Sequence, residues 1–241
     1  MPVVVSNLDV KRTFLKVMKE EHLPEDFVSR VRNFRIRGSS AKLNMAFDGV
    51  PTWPSIPAGS PVLKGDLHYS ESLDEVERAY DDWKDGRWSS TPYIDMIMPS
   101  LIDPTMAPEG KHFLSVFVQY CPYRPKQGEW TPELKQAFGD NVIDAIARYS
   151  PDFRQKLLHA EVRTPLDLER EVGLTEGNIF QGELTMDQLM FNRPVPGYAQ
   201  YRTPVKNVYL CGSSTHPGGG VMGAPGANAA REILSDLGRS N

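Results

Sequence analysis

The residues best suited to chemistry lie close together between Asn207 and Leu237. The sequence there begins NVYLCGSSTHPGGGVMGAPGANAAR. Asn207–Cys211 alternates and is β-prone, so it reads as a strand. Residues 212–220 are small and flexible, which lets backbone approach a ligand closely. Pro225 suits a first helical turn, and residues 227–237 are rich in helix formers. A strand, a glycine loop and a helix start present backbone N–H groups to an anion or to the polar edge of a ring. Ser213, Ser214 and His216 offer a second chemistry, a hydroxyl nucleophile with an imidazole base. The order Gly212-Ser213-Ser214-Thr215-His216 is not the G-x-S-x-G of a nucleophile elbow. A weak serine esterase using Ser213 or Ser214 with His216 therefore stands only as a second alternative.

Gly218, Gly220 and Gly223 spell a literal G-x-G-x-x-G. Six residues separate it from the strand, from Gly212 to Pro217. The sequence given also ends before a second strand or an acidic ribose partner about 20 residues on. The pattern is read as a glycine-rich turn before a helix rather than a dinucleotide fingerprint. Five histidines (His22, His68, His112, His159, His216) show no metal-ligand spacing along the chain. Cys121 and Cys211 form no disulfide framework, and Cys211 reads as a small buried hydrophobe. Arg30, Arg32, Arg35 and Arg37 read as a solvated helix end and strand start, with a phosphate or lipid-head contact as the alternative. Trp53, Trp83, Trp88 and Trp130 read as core packing or, alternatively, as the lining of an apolar cavity. Arg193, in the Asn192-Arg193-Pro194 turn, is expected to pair with a core carboxylate or to approach a bound cofactor.

The elements that must position these residues follow from periodicity and caps. Val3–Ser6 predicts a strand with neighbours on both sides. Val10–Lys19 predicts a short helix, and Pro24 with Glu25 and Asp26 opens another through about Asn33. Leu43, Met45 and Phe47 alternate with Lys42, Asn44 and Ala46, as in a half-buried strand. Gly65–Ser70, Tyr93–Met98, His112–Tyr120 and Leu157–Val162 add strands. Ser72 with Glu75 predicts a capping box for a helix over Leu73–Lys84, with Leu73, Val76 and Tyr80 as its apolar stripe. Thr131 and Pro132 start a helix whose apolar face is Leu134, Phe138, Val142 and Ile146. Pro165–Val172 predicts a further helix. Strands and helices alternate without a regular βαβ beat, so the expected class is α+β (with α/β character), a mixed sheet with helices.

The chain has 241 residues, 40% apolar and 24% charged, with a formal net charge of −4. That allows one large domain or two small ones. A weakly acidic surface gives no long-range attraction for nucleic acid. No run approaches the ~18 apolar residues of a membrane span. The amino-terminal residues show no secretion-signal pattern, and two cysteines make a reducing, cytoplasmic compartment the default.

The stretch NVYLCGSSTHPGGGVMGAPGANAAR closely resembles the carboxy-terminal segment of phytoene-desaturase-like flavoproteins. VVVSNLDVKRTF (residues 3–14) resembles the strand that returns to their flavin domain. GELTMDQLMFNRPVPGY (182–198) resembles the segment before their last strand, and FRIRGSSAKLNMAFDGVP (34–51) also fits. The resemblance implies an FAD-dependent oxidoreductase, desaturase or dehydrogenase in type, that removes hydride from an apolar small-molecule substrate. It implies a segment 1–20 returning to the flavin domain, a substrate-type α+β domain over 21–180, and a flavin-contacting segment over 181–241. It places Gly212 and Ser213 along the phosphate or ribityl side of FAD. Gly219, Gly220, Val221 and Met222 would face the isoalloxazine ring, with Gly223 at the helix start and His216 ordering the loop. The family's amino-terminal ADP-binding motif is not in the sequence given, so a truncated or split form is expected, either with a separate chain supplying the missing dinucleotide-binding half or as a homo-oligomer. The family would also allow a mitochondrial-matrix or peripheral-membrane location. The alternative is a non-catalytic dimerising or partner-binding module.

Overall fold

A computed structural model describes residues 2–238 of the chain. Two compact units emerge, one formed by residues 2–38 with 169–238 and the other by residues 39–168. The first unit thus includes residues 21–38 and 169–180, which the resemblance grouped with the middle of the chain. Packing accounts for the difference, because Phe27, Val28 and Val31 share a core with Phe14 and Leu210.

The unit over 39–168 is built on an antiparallel sheet of five strands in the order β3-β4-β5-β2-β6. Its strands are β2 (Ser40–Asp48), β3 (Leu67–Tyr69), β4 (Tyr93–Ile97), β5 (Lys111–Gln119) and β6 (Leu157–Arg163). The alternation expected of β2 is present: Ala41, Leu43, Met45 and Phe47 are buried and the residues between them less so. Leu114, Val116 and Val118 of β5 and Ile94 and Met96 of β4 join the same core. Period-2 patterning puts all of these on one face. Helix α4 (Pro132–Ala147) supplies Phe138, Val142, Ile143 and Ile146 to that core. It begins as expected, with the Thr131 hydroxyl accepting the Leu134 N–H at 3.2 Å and Pro132 in the first turn. The short helix α5 (Phe153–Lys156) places Phe153 against Phe47, with ring centroids 4.8 Å apart. Each fully buried Leu, Ile or Phe contributes roughly 1.5–3 kcal/mol by leaving water. Trp53, Trp88 and Trp130 pack on this core and Trp83 is buried, so these aromatics are packing rather than a cavity wall.

Helix α3 (Leu73–Lys84) starts on the expected Ser72 cap, but the box closes differently. Glu75 accepts the N–H of Glu71 at 2.9 Å. Its buried residues are Ala79 and Trp83, while Leu73 is 87% exposed. The apolar stripe is therefore displaced toward the end of the helix. Ala79 is too small to stand out in a hydrophobic pattern, and Leu73 lies in the first turn, beyond the packed face.

The other unit pairs two strands in parallel, β1 (Val4–Ser6) with β7 (Val208–Leu210). Only this one neighbour of β1 is found among the described residues, and Val4 and Val5 are exposed. Parallel and antiparallel pairing thus both occur, as a mixed α+β class requires, but in separate sheets. Helix α1 (Val10–Arg12) runs into a wider turn over Thr13–Val17, capped by Asp9, which accepts the Arg12 N–H at 2.9 Å. Helix α2 (Glu25–Asn33) follows Pro24 as expected. Its arginines and their neighbours are engaged by acids: Arg32 by Glu20, Arg35 by Asp187, Arg37 by Glu183. Helix α6 (Pro165–Val172) leads out of the sheet unit. Helix α7 (Ala224–Asp236) is tied to β7 by Tyr209 and Arg202, which both donate to Asp236. No helix among the described residues is long and apolar enough to cross a membrane.

Candidate functional site

The loop from Cys211 to Gly223 joins β7 to α7, and it is positioned mostly through main chain. The Cys211 N–H donates to Ser6 at 2.9 Å, extending the parallel pairing by one residue. Gly212 is buried, and a Cβ there would overlap the carbonyl of Asn7 and lie 2.7 Å from Gln181 Oε1. Thr215 folds back, its hydroxyl donating to the Gly212 carbonyl at 2.8 Å. A Cβ on Gly219 would lie 2.5 Å from the Phe180 ring and 2.9 Å from its Cα. Glycine is therefore required at both positions by close approach of backbone. Gly223 caps α7 with φ of 66°, in the left-handed region.

Arg193 organises the other side of the loop. It is fully buried and donates five hydrogen bonds, all to main-chain carbonyls. Nε reaches Ser213 at 2.9 Å; the terminal nitrogens reach Phe180 at 2.6 Å, Glu183 at 3.2 Å, Gly182 at 3.3 Å and Gln188 at 3.4 Å. Its guanidinium also lies over the Phe34 ring. The expectation of a carboxylate partner is corrected: the planar fork satisfies carbonyls of two converging loops instead. Burial pushes the guanidinium down to about 10, so it remains a cation near neutral pH.

The predicted site residues divide into two groups. Gly212, Ser213, His216 and Gly219 are wholly or partly buried on the side of the loop near Phe180 and Arg193. His216 stacks on Phe191 at 5.4 Å, with ring planes 9° apart. Its carbonyl accepts the Tyr201 hydroxyl at 2.8 Å, and that hydroxyl in turn accepts from Asn228 of α7. Gly220, Val221, Met222 and Gly223 are exposed at the start of α7. The first turn of α7 contains no acidic side chain, so no carboxylate offsets the positive end of its dipole. Leu184 and Phe191 add exposed apolar surface; Leu184 lies beside Gly218 and Phe191 beside His216.

The nucleophile–base pair does not form. Ser214 Oγ and His216 Nδ1 are buried atoms without a hydrogen-bond partner among the described residues, so they do not bond to each other. Ser213 contributes its carbonyl to Arg193. Cys211 is half-buried, and burial raises its thiol pKa, away from thiolate reactivity. Sequence reasoning missed Phe180, Gln181, Tyr201 and Asn228, which hold the loop. No motif announces them, because they act through contacts with main chain or a neighbouring hydroxyl.

No protein-family profile matches the chain. Pyridine nucleotide-disulfide oxidoreductase domain-containing protein 2 of Rattus norvegicus is 40% identical over 98% of this chain, which covers 42% of that protein. Phytoene desaturase (lycopene-forming) of Paracoccus sp. (strain N81106 / MBIC 01143) is 25% identical over 98% of the chain and 44% of its own length. The solved structure of cyclohexylamine oxidase from Brevibacterium oxydans IH-35A superimposes with a TM-score of 0.53 at 12% identity. It covers 98% of this chain and 43% of that one, a likeness of fold alone. The chain spans about two-fifths of the length of each of these proteins.

Proposed function

We propose that this chain, which resembles the phytoene-desaturase-like FAD-dependent oxidoreductases along 98% of its length, supplies the isoalloxazine side of an FAD site. In this reading it is the carboxy-terminal part of an oxidoreductase acting on an apolar substrate. One observation carries the reading: a loop fixed at Gly212 and Gly219, where no Cβ fits, presents exposed Gly220, Val221 and Met222 at an acid-free helix start. Those residues fit a flat ring with an apolar body and a polar edge. The ring edge would take helix N–H groups, and Val221 and Met222 would cover its face. Gly212 and Ser213 would run along the ribityl or phosphate side, and His216 would hold the loop through its stack on Phe191. Bound FAD would accept hydride from the substrate, and the protein groups would orient it and exclude water.

One helix start contributes only about 1 kcal/mol in dipole terms, so weak binding by the chain alone is expected. The test is an FAD titration of the purified chain, followed through the flavin absorption bands. We expect a saturable change at high FAD, abolished by Val221→Asp with Met222→Asp. Both side chains are exposed, so the fold is kept. A spectrum that stays the sum of protein and free FAD, or one that the double variant leaves unchanged, would overturn the reading.

A further inference from the structure

We propose that Asp66, His68 and Asp95 form a binding site for one divalent transition-metal ion, of the zinc class, at the β3–β4 edge of the five-stranded sheet. This site belongs to the sheet unit and shares no residue with the glycine loop.

Strand register creates the cluster. β3 pairs antiparallel with β4, and His68 stands directly opposite Asp95. Asp66 is two residues before His68, so an extended chain directs both side chains to the same face. That face is the one opposite the core, since the alternating residues Ile94 and Met96 are buried. One donor atom from each of the three side chains lies within 4.8 Å of the others. The distance from His68 Nε2 to Asp66 Oδ2 is 3.3 Å. Bonds of about 2.0–2.1 Å in a tetrahedral arrangement place neighbouring donor atoms about 3.3 Å apart. The imidazole and one carboxylate are thus already at ligand spacing. Asp95 Oδ2 lies 4.0 Å from the Nδ1 side of the same ring, so Asp95, at a partly exposed position, must turn its carboxylate toward Nε2 to complete the set.

The other imidazole nitrogen has its own partner. His68 Nδ1 lies 2.8 Å from the Tyr93 hydroxyl, which sits two residues before Asp95 on the same face of β4. A metal-binding histidine is commonly fixed by such a bond through its second nitrogen, which sets the tautomer and frees the first for the ion. Tyr93 is the positioning residue in this reading.

Charge and donor type select the ion. Two carboxylates balance a 2+ charge, and the mixed nitrogen and oxygen set suits zinc better than calcium or magnesium, which take oxygen ligands in larger number. The two acids also oppose each other. Lys42 faces the site from β2 across Phe117 of β5 and bonds the Ser115 hydroxyl, so it is the nearest competing cation. An ion held by Asp66 and Asp95 together removes their repulsion. It would clip β3, an edge strand of three residues, to its neighbour.

The test is a calorimetric titration of the chelator-treated full chain with zinc chloride. We expect one equivalent to bind, with slower amide exchange across Leu67–Tyr69. The near-isosteric double variant Asp66→Asn with Asp95→Asn loses that equivalent, as does His68→Gln. Tyr93→Phe keeps the three ligands but weakens binding roughly tenfold or more. Tryptophan fluorescence confirms that each variant is folded. No bound equivalent in the wild-type chain, or an isotherm that the double variant reproduces, would overturn the proposal. The latter result would assign the binding to His22, His112, His159 or His216.

Discussion

Phe138 and Arg193 are both fully buried, one in each compact unit, and they hold their surroundings by opposite means. Phe138 sits among apolar side chains, edge-on to Trp88 and Trp130, and its contribution is area removed from water. Arg193 sits among carbonyls and spends its five donors on main chain. The sheet unit is thus shaped by side chains filling a space. The glycine loop is shaped by backbone segments so close that side chains are excluded at Gly212 and Gly219. A side-chain core tolerates exchange of one apolar group for another of similar volume. A backbone junction held by one guanidinium does not, because no other side chain offers the same planar fork.

The sharpest way to break this comparison is Arg193→Ala. It removes the donor from five carbonyls, of which Glu183 alone keeps another in Gln188 Nε2, at about 1–3 kcal/mol for each that water cannot reach. We expect a loss of about 4 kcal/mol, read as collapse of amide protection over residues 180–188 and 212–219. Arg193→Lys should rescue little, since an ammonium has three donors on a point charge. Full rescue by lysine would show that charge, not the fork, holds the loop. Phe138→Ala is the matching test in the sheet unit, with an expected cost of about 4 kcal/mol. Trp53, Trp83, Trp88 and Trp130 all lie in that unit, so tryptophan fluorescence reports its unfolding directly. Phe138→Leu should recover most of the loss. If it recovers none, the core is a more specific junction than its contacts indicate.

The two regions also differ in how much their sequence discloses. β2, β5 and α4 are legible because their signals are local: alternation in FRIRGSSAKLNMAFD and HFLSVFVQY, and a Thr131–Pro132 start. The strand, loop and helix over residues 207–237 are legible for the same reason. The pairing of β1 with β7 is not, since it joins residues some 200 positions apart and neither strand specifies its partner. Arg193 drew attention as a residue, but its role depends on carbonyls from segments 180–188 and 213, which carry no side-chain signature. The spacing of the histidines suggests no metal set, because Asp66, His68 and Asp95 meet only through the β3–β4 register. Leu73 misleads in the other direction, being apolar, in helical phase and exposed.

The smallest expected effect lies at the rim of the sheet unit, where a polar contact does what backbone packing does in the loop. Asp152 accepts from the Thr52 N–H at 2.7 Å and the Thr52 hydroxyl at 2.8 Å, and it pairs with Lys156 at 2.8 Å. Burial alone would raise its pKa, but the bonds from Lys156 and Thr52 outweigh burial and bring the carboxyl down to about 2. The folded value is below the unfolded one, near 3.9, so the folded state favours the ionised form. The resulting stabilisation is fully present above about pH 4 and is lost as pH falls toward 2. Asp152→Asn should therefore lower the tryptophan-monitored stability at neutral pH and change it little near pH 2. Stability curves of wild type and variant against pH should converge on the acid side. Curves that stay parallel down to pH 2 would mean that the contact with Thr52 acts through geometry alone, and that the rim is held as the glycine loop is, without help from charge.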